Sequence, residues 1–244
     1  MKMPTTLLAL ALAAISAAPG AEEPEILAYD VIAVHRKLLL ATSDGERQLI
    51  VGDRAHSGDA LRTGSRSSAE LAVPTRGALF SVGSKTTFRL AHDRPGVLLE
   101  LDRGRVRAVF EPAPQGDERE RLVTTPSAVL AVRGTEYGVE VEKDGDTSLV
   151  VFEGTVEVRD ATGVGEAVMV HAGESTRIRR GHAAAAPRPH GVSRSDWDHG
   201  RGMNTPSTGS MGSAQQPMGN QGGMSGGSKG TSSQGSGGSK GHGR

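Results

Sequence analysis

The chain has 244 residues, with 28 lysines and arginines against 28 aspartates and glutamates, and it has no cysteine. Disulfides, cysteine-ligated zinc and thiol catalysis are therefore excluded. Aromatic residues make up 3%, too few for base-stacking platforms, and the sequence holds no concentrated basic run, so no nucleic-acid partner is expected.

Lys2 is followed by an apolar run over residues 7–15 and by small residues through Ala21. A basic start, an apolar stretch of about a dozen residues and a small-residue exit make a secretory signal peptide over residues 1–21, since a bilayer span wants ~20 apolar residues. No cysteine follows, which excludes a lipoprotein. No later segment is apolar enough for a membrane span after signal removal, so the mature chain is expected to be soluble and periplasmic or secreted.

Residues 26–34 and 38–40 read as strands on their β-branched content, with a helix over 25–41 as the competing reading. Ser43-Asp44-Gly45-Glu46 is a turn. Gln48-Leu49-Ile50-Val51 is a strand, followed by Gly52-Asp53; Gly58-Asp59 repeats that pair, and Gly64 marks another tight turn. In 68–73, Ala69, Leu71 and Val73 share one face. Pro74-Thr75-Arg76-Gly77 breaks the run before strands at 78–82 and 87–90. Residues 97–101 and 105–110 flank Asp102-Arg103-Gly104 as a hairpin, with Val106, Ala108 and Phe110 on one face. An exposed loop fills 112–117.

The stretch 124–141 is two short strands around Arg133-Gly134-Thr135. Lys143-Asp144-Gly145-Asp146 turns the chain into a strand at 147–152, and Glu153-Gly154 turns it again into 155–158. Strands at 166–170 and 175–178 enclose Ala172-Gly173-Glu174. Short strands about every ten residues, punctuated by glycine, are the signature of an all-β fold, a sandwich, a barrel or a solenoid, and the recurring glycines favour stacked coils as in a β-solenoid. The folded domain is expected over 26–180. Residues 181–199 read as a linker, in which Trp197, the single tryptophan, is either a short tethering element or incidental. Residues 200–244 are Gly/Ser-rich and too poor in apolar mass to offset their ordering entropy, hence a disordered tail.

Residues 122–158 resemble the FecR family in the order of their pieces: Thr125-Pro126-Ser127-Ala128-Val129, Val132-Arg133-Gly134-Thr135, Asp144-Gly145-Asp146-Thr147 and Glu153-Gly154-Thr155-Val156. Upstream, Val51-Gly52-Asp53, Gly58-Asp59-Ala60-Leu61-Arg62-Thr63-Gly64 and Ser68-Ala69-Glu70-Leu71 extend the likeness, and Ala172-Gly173-Glu174 closes it near residue 178. Pro74-Thr75-Arg76-Gly77 departs from the family's usual Asp-Gly-Ser turn. The resemblance implies an all-β, twisted β-solenoid or sandwich domain acting outside the cytoplasm, here without the sigma-factor-binding segment and transmembrane helix of the regulators that name the family. It marks Gly52, Asp53, Gly58, Asp59, Arg133, Gly134, Thr135 and Gly154 as signature residues. Their expected role is structural: Gly134 allows close backbone approach or a positive φ inside a strand, often a bulge, and Arg133 is a staple between turns through Asp53, Asp59 or Glu153.

No catalytic residues stand out. Serine and threonine are plentiful, but none has a recognisable base in context. Asp53 and Asp59 as an acid/base pair are outweighed by their place after turn glycines. His35, His56, His92 and His171 read as surface or packing residues. His182, His190 and His199, near Asp196 and Asp198, fit no structural zinc spacing, and Asp144-Gly145-Asp146 is too short for a calcium loop. The sequence thus points to a non-enzymatic extracytoplasmic module for protein interaction or signalling in a bacterial envelope, with no cofactor and no metal. Its partner would be an envelope protein or, alternatively, a cell-wall glycan such as peptidoglycan.

Overall fold

The computed structural model describes residues 26–90, 94–117 and 119–200. The signal expected over residues 1–21, His92 and the stretch beyond Gly200 that was expected to be disordered lie outside the described residues. The strands begin with β1 (Ala28–His35), β2 (Leu38–Thr42), β3 (Gly45–Leu49), β4 (Arg54–His56), β5 (Ala60–Thr63) and β6 (Ser68–Val73). A 3-10 turn at Pro74–Arg76 leads to β7 (Ala78–Val82), β8 (Thr87–Leu90) and a long β9 (Val97–Phe110). Next come β10 (Leu122–Thr124), β11 (Ala128–Val132), β12 (Glu136–Val141), β13 (Thr147–Glu153) and β14 (Thr155–Asp160). The series closes with β15 (Val168–His171), β16 (Glu174–Ile178), β17 (Arg188–Pro189) and a short helix α1 (Arg194–Asp198). The fold is all-β, and the start of the domain is strand rather than helix.

Pairing sorts the strands into two layers. The front layer runs β4-β1-β6-β7-β9-β12-β13-β16-β17. The back layer runs β3-β2-β5-β8-β9-β10-β11-β14-β15. All but the β9–β10 pair are antiparallel. The inward faces meet in one apolar core, with Phe80, Phe110 and Tyr137 from the front and Phe88, Leu99 and Leu130 from the back. The Tyr29 hydroxyl crosses it, donating to the Leu98 carbonyl at 2.6 Å.

Strand β9 belongs to both layers, and here the expected hairpin is corrected. The chain does not reverse at Asp102-Arg103-Gly104; it bends and continues. Residues up to Arg103 pair with β8 and β10, and those from Gly104 with β7 and β12. Val97, Leu99 and Leu101 are buried before the bend, and Val106, Ala108 and Phe110 after it. The inward parity changes from odd to even, so both halves face one core. Gly104 has φ 97°, and a Cβ there would lie 2.6 Å from Thr86 Cα. A positive-φ glycine serves a bulge as well as a turn.

Other crossings between layers use the Gly–acid pairs. Gly52 and Gly58 have φ of 92° and 93°. The Asp53 carboxylate accepts from Ile50 N–H at 3.0 Å, and Asp59 does the same for His56 N–H at 2.9 Å. The third pair, Gly173-Glu174, closes on His171 N–H at 2.9 Å. The first of these turns takes in Ile50 and Val51, so the strand expected through Val51 stops at Leu49. With their carboxylates committed to backbone donors, Asp53 and Asp59 are turn-closing groups.

Two signature pieces meet in a buried hydroxyl cluster. Thr125 Oγ1 lies 2.7 Å from Thr147 Oγ1, and Ser127 Oγ donates to Thr147 Oγ1 at 2.6 Å. Thr125 Oγ1 also caps the turn by accepting from Ala128 N–H at 2.8 Å. Thr147→Val removes the shared partner of two buried hydroxyls and is expected to cost about 2 kcal/mol in urea unfolding. Thr155→Val, at a half-buried hydroxyl outside this cluster, is expected to cost less.

Candidate functional site: a strapped face and its groove

Alternation along β9 turns Arg105 and Arg107 outward from the front layer. Opposite them β12 presents Glu136, Gly138 and Glu140, in the register Glu140↔Arg105 and Gly138↔Arg107. Arg105 Nη2 donates to both Glu140 carboxylate oxygens at 3.0 Å, and Arg107 Nη1 donates to Glu136 at 3.1 Å. Between these ion pairs, Gly138 leaves a flat patch of bare backbone.

Trp197 lies on that patch. It is 1% exposed, and a Cβ on Gly138 would come 2.3 Å from its Cε2. The Arg105 guanidinium sits 4.9 Å from the ring centroid, and Phe152 meets the ring edge-on at 6.4 Å. Val150, opposite Gly138 and outside the main core cluster, is fully buried. Residues 188–199 therefore form a strap across the outer face, where a linker was expected. β17 pairs with β16, Arg194 bonds Glu136 at 2.7 Å, and Asp198 bonds Arg107 at 2.9 Å. His190 Nδ1 accepts from Val192 N–H at 3.1 Å, so Nε2 carries the proton and donates to the Val151 carbonyl at 3.1 Å. Burial opposes the charge on Arg107, but Asp198 and Glu136 more than offset it and hold its pKa above the ordinary arginine value.

Beside the strap the face is open. A groove of ≈ 600 Å³ runs from Trp197 and His199 toward Arg66 and Ser84, with Glu70 and Ser81 along it. Among the described residues, hydroxyls, the paired Arg105, Arg107 and Glu140 and the unpaired Arg66 line it, and no group of three or more His, Asp or Glu is placed to hold a metal. This arrangement can accept an extended polar segment, and within it Ser81 Oγ donates to the Glu70 carboxylate at 3.3 Å.

The signature residues lie elsewhere. The Arg-Gly-Thr step is a crossing from β11 to β12 rather than a bulge within a strand, and the positive φ expected of Gly134 is observed there. Gly134 has φ 63°, and Thr135, 2% exposed, exchanges backbone hydrogen bonds with Phe110. Its hydroxyl donates to the Thr155 carbonyl at 2.9 Å, across from Gly154. Arg133 is exposed and forms no ion pair among the described residues, so it does not staple turns through Asp53, Asp59 or Glu153. Arg133→Ala should leave stability within about 0.5 kcal/mol of the parent, read by thermal melting. His171 bonds Thr155 Oγ1 at 3.1 Å, and His199 caps the end of α1 through Ser195 O at 2.7 Å. Sequence reasoning missed Gly138, Arg105 and Glu140. The available signal was a glycine at an outward position of an alternating strand, which marks a close approach.

Residues 59–157 match the family model described as FecR protein. A search of curated proteins found no match. Two crystal structures of a candidate anti-sigma factor from Parabacteroides distasonis ATCC 8503, at 1.65 and 2.50 Å resolution, align at 14% identity with a TM-score of 0.45. Each alignment covers 54% of this chain and 59% of that one, so the match spans little more than half of the neighbour's length. The FecR match ends in β14. The strap lies C-terminal to it and packs on β9, β12 and β13, all within the matched region.

Proposed function

We propose that this chain is a non-enzymatic interaction module of regulatory type, acting outside the cytoplasm on an envelope protein. The observation that carries the reading is a FecR-like domain with an open polar groove along its outer face. Peptide recognition against a sheet face needs exposed polar groups beside a rigid floor, and the ion-paired β9–β12 ladder supplies both. The signal-like residues 1–21 support an extracytoplasmic location, and no helix among the described residues is long and apolar enough to cross a membrane.

The test is photo-crosslinking in cells from a benzoylphenylalanine placed at Ser84, on the groove wall. An envelope protein captured from Ser84, but not from a probe at Asp44, is the expected result. Cosedimentation with purified peptidoglycan and no crosslinked protein would replace this reading with the glycan-binding one.

A further inference from the structure

Four passages between the layers stack on one edge of the sandwich. They are β1 to β2, β5 to β6, β7 to β8, and the bend within β9. They are consecutive rungs, because β1-β6-β7-β9 are neighbours in front and β2-β5-β8-β9 behind. Hydrogen bonds join them: Gly64 N–H to Lys37 O at 3.3 Å, Lys85 N–H to Gly64 O at 3.1 Å, and Gly83 N–H to Arg105 O at 2.8 Å. The buried Thr63 and Thr86 hydroxyls lock the inner side, with Thr86 Oγ1 accepting from Arg105 N–H at 3.0 Å.

Each rung holds a basic side chain in solvent: Arg36, Arg66, Lys85 and Arg103. Adjacent strands are about 4.8 Å apart, so the row spans about 14 Å. None of the four forms an ion pair among the described residues. Lys37 is exposed beside the first rung, and the exposed Asp102 is the acid beside the last.

The backbone adds an independent observation. Arg36, Arg66 and Lys85 have φ of 68°, 53° and 55°, and among the described residues they are the only non-glycine residues with positive φ. Glycine fits that conformation with no steric cost, and glycine occupies the other positive-φ turns among the described residues. Three separate corners keep a long cation where the fold alone favours glycine. Strain retained at one edge, always beneath a positive charge, is accounted for by what the charges hold.

We propose that this edge is a binding site for a row of anionic phosphate groups, with Arg36, Arg66, Lys85 and Arg103 as its cations. Guanidinium and ammonium groups at rung spacing suit phosphates presented in series, each arginine forking onto two oxygens. Anionic lipid headgroups and soluble polyphosphate both present that chemistry. The edge borders the groove, which Arg66 also lines, but phosphate binding is read with purified probes and protein capture from Ser84 in cells, so the two readings fail separately.

The test uses the full chain and the double variant R66G/K85G. The probes are phosphatidylcholine vesicles with and without phosphatidylglycerol, and soluble polyphosphate. The parent chain should bind phosphatidylglycerol vesicles, ignore phosphatidylcholine alone, and release as salt approaches about 1 M. R66G/K85G should bind about 30-fold more weakly while melting at or above the parent temperature, since glycine relieves both corners. Binding to polyphosphate without binding to vesicles supports the site and assigns it a soluble source. Binding to neither probe overturns the proposal, as does undiminished binding by R66G/K85G. A double variant that melts below the parent also overturns it, because the two cations would then serve the fold.

Discussion

Gly154→Ala is expected to destabilise the domain by about 3 kcal/mol, with a fall in melting temperature of roughly 10 °C. Two costs combine. Gly154 has φ 77°, a left-handed conformation that strains any side chain. A Cβ would also lie 2.6 Å from the Gly134 carbonyl oxygen and 3.1 Å from Thr135 Cα. Those atoms are backbone, and Thr135 is held on both sides, by Phe110 and by the Thr155 carbonyl. The clash cannot be relieved by turning a side chain. Gly173→Ala is the internal control: its φ is 83°, but nothing lies within 4 Å of the added carbon. It should cost about 1 kcal/mol, the conformational part alone. Equal losses in the two variants would show that the packed crossing is no constraint, and the structural role assigned to Gly134, Thr135 and Gly154 would fail with it.

What the sequence disclosed, and what it hid, follows the range of the interactions. The inward faces were legible because alternation is local: Ala69, Leu71 and Val73 are all buried, as are Val106, Ala108 and Phe110. The Gly–Asp turns were legible for the same reason, since each carboxylate closes on a backbone donor within its own turn. Gly104 misled because a positive-φ glycine between two apolar runs is locally the same object in a hairpin and in a bend. Only the partners on either side, β8 and β10 against β7 and β12, separate the two. The strap was hidden by distance along the chain: Arg107 and Asp198 are 91 residues apart, and Arg194 and Glu136 are 58 apart. The basic edge was hidden likewise. Arg36, Arg66, Lys85 and Arg103 are scattered singly through the sequence, and only the stacking of strands puts them in a row.

The strap makes the second large prediction. Trp197→Ala should release residues 188–199 from the front layer while leaving the sandwich folded. Truncating a tryptophan buried in a core costs about 3–5 kcal/mol. Here the loss in global stability is capped by the docking free energy of the strap, because an undocked strap has nothing further to lose. The polar contacts cannot hold it alone. Arg194 is half exposed, with 51% of its side-chain surface open, and Asp198 has 40% open; such pairs contribute about 0.2–1 kcal/mol each. The first readout is tryptic cleavage after Arg194, which should become fast in Trp197→Ala at temperatures far below the melting of the domain. Gly138→Val supplies the converse, since it keeps the tryptophan and fills its seat. Because the chain has a single tryptophan, its emission reports this side chain alone, and in Gly138→Val it should move to the red as the indole enters water. Arg194 should become cleavable in that variant too. Emission unchanged by Gly138→Val, or resistance to trypsin in both variants, would mean that the strap is held by something other than the indole on its glycine floor.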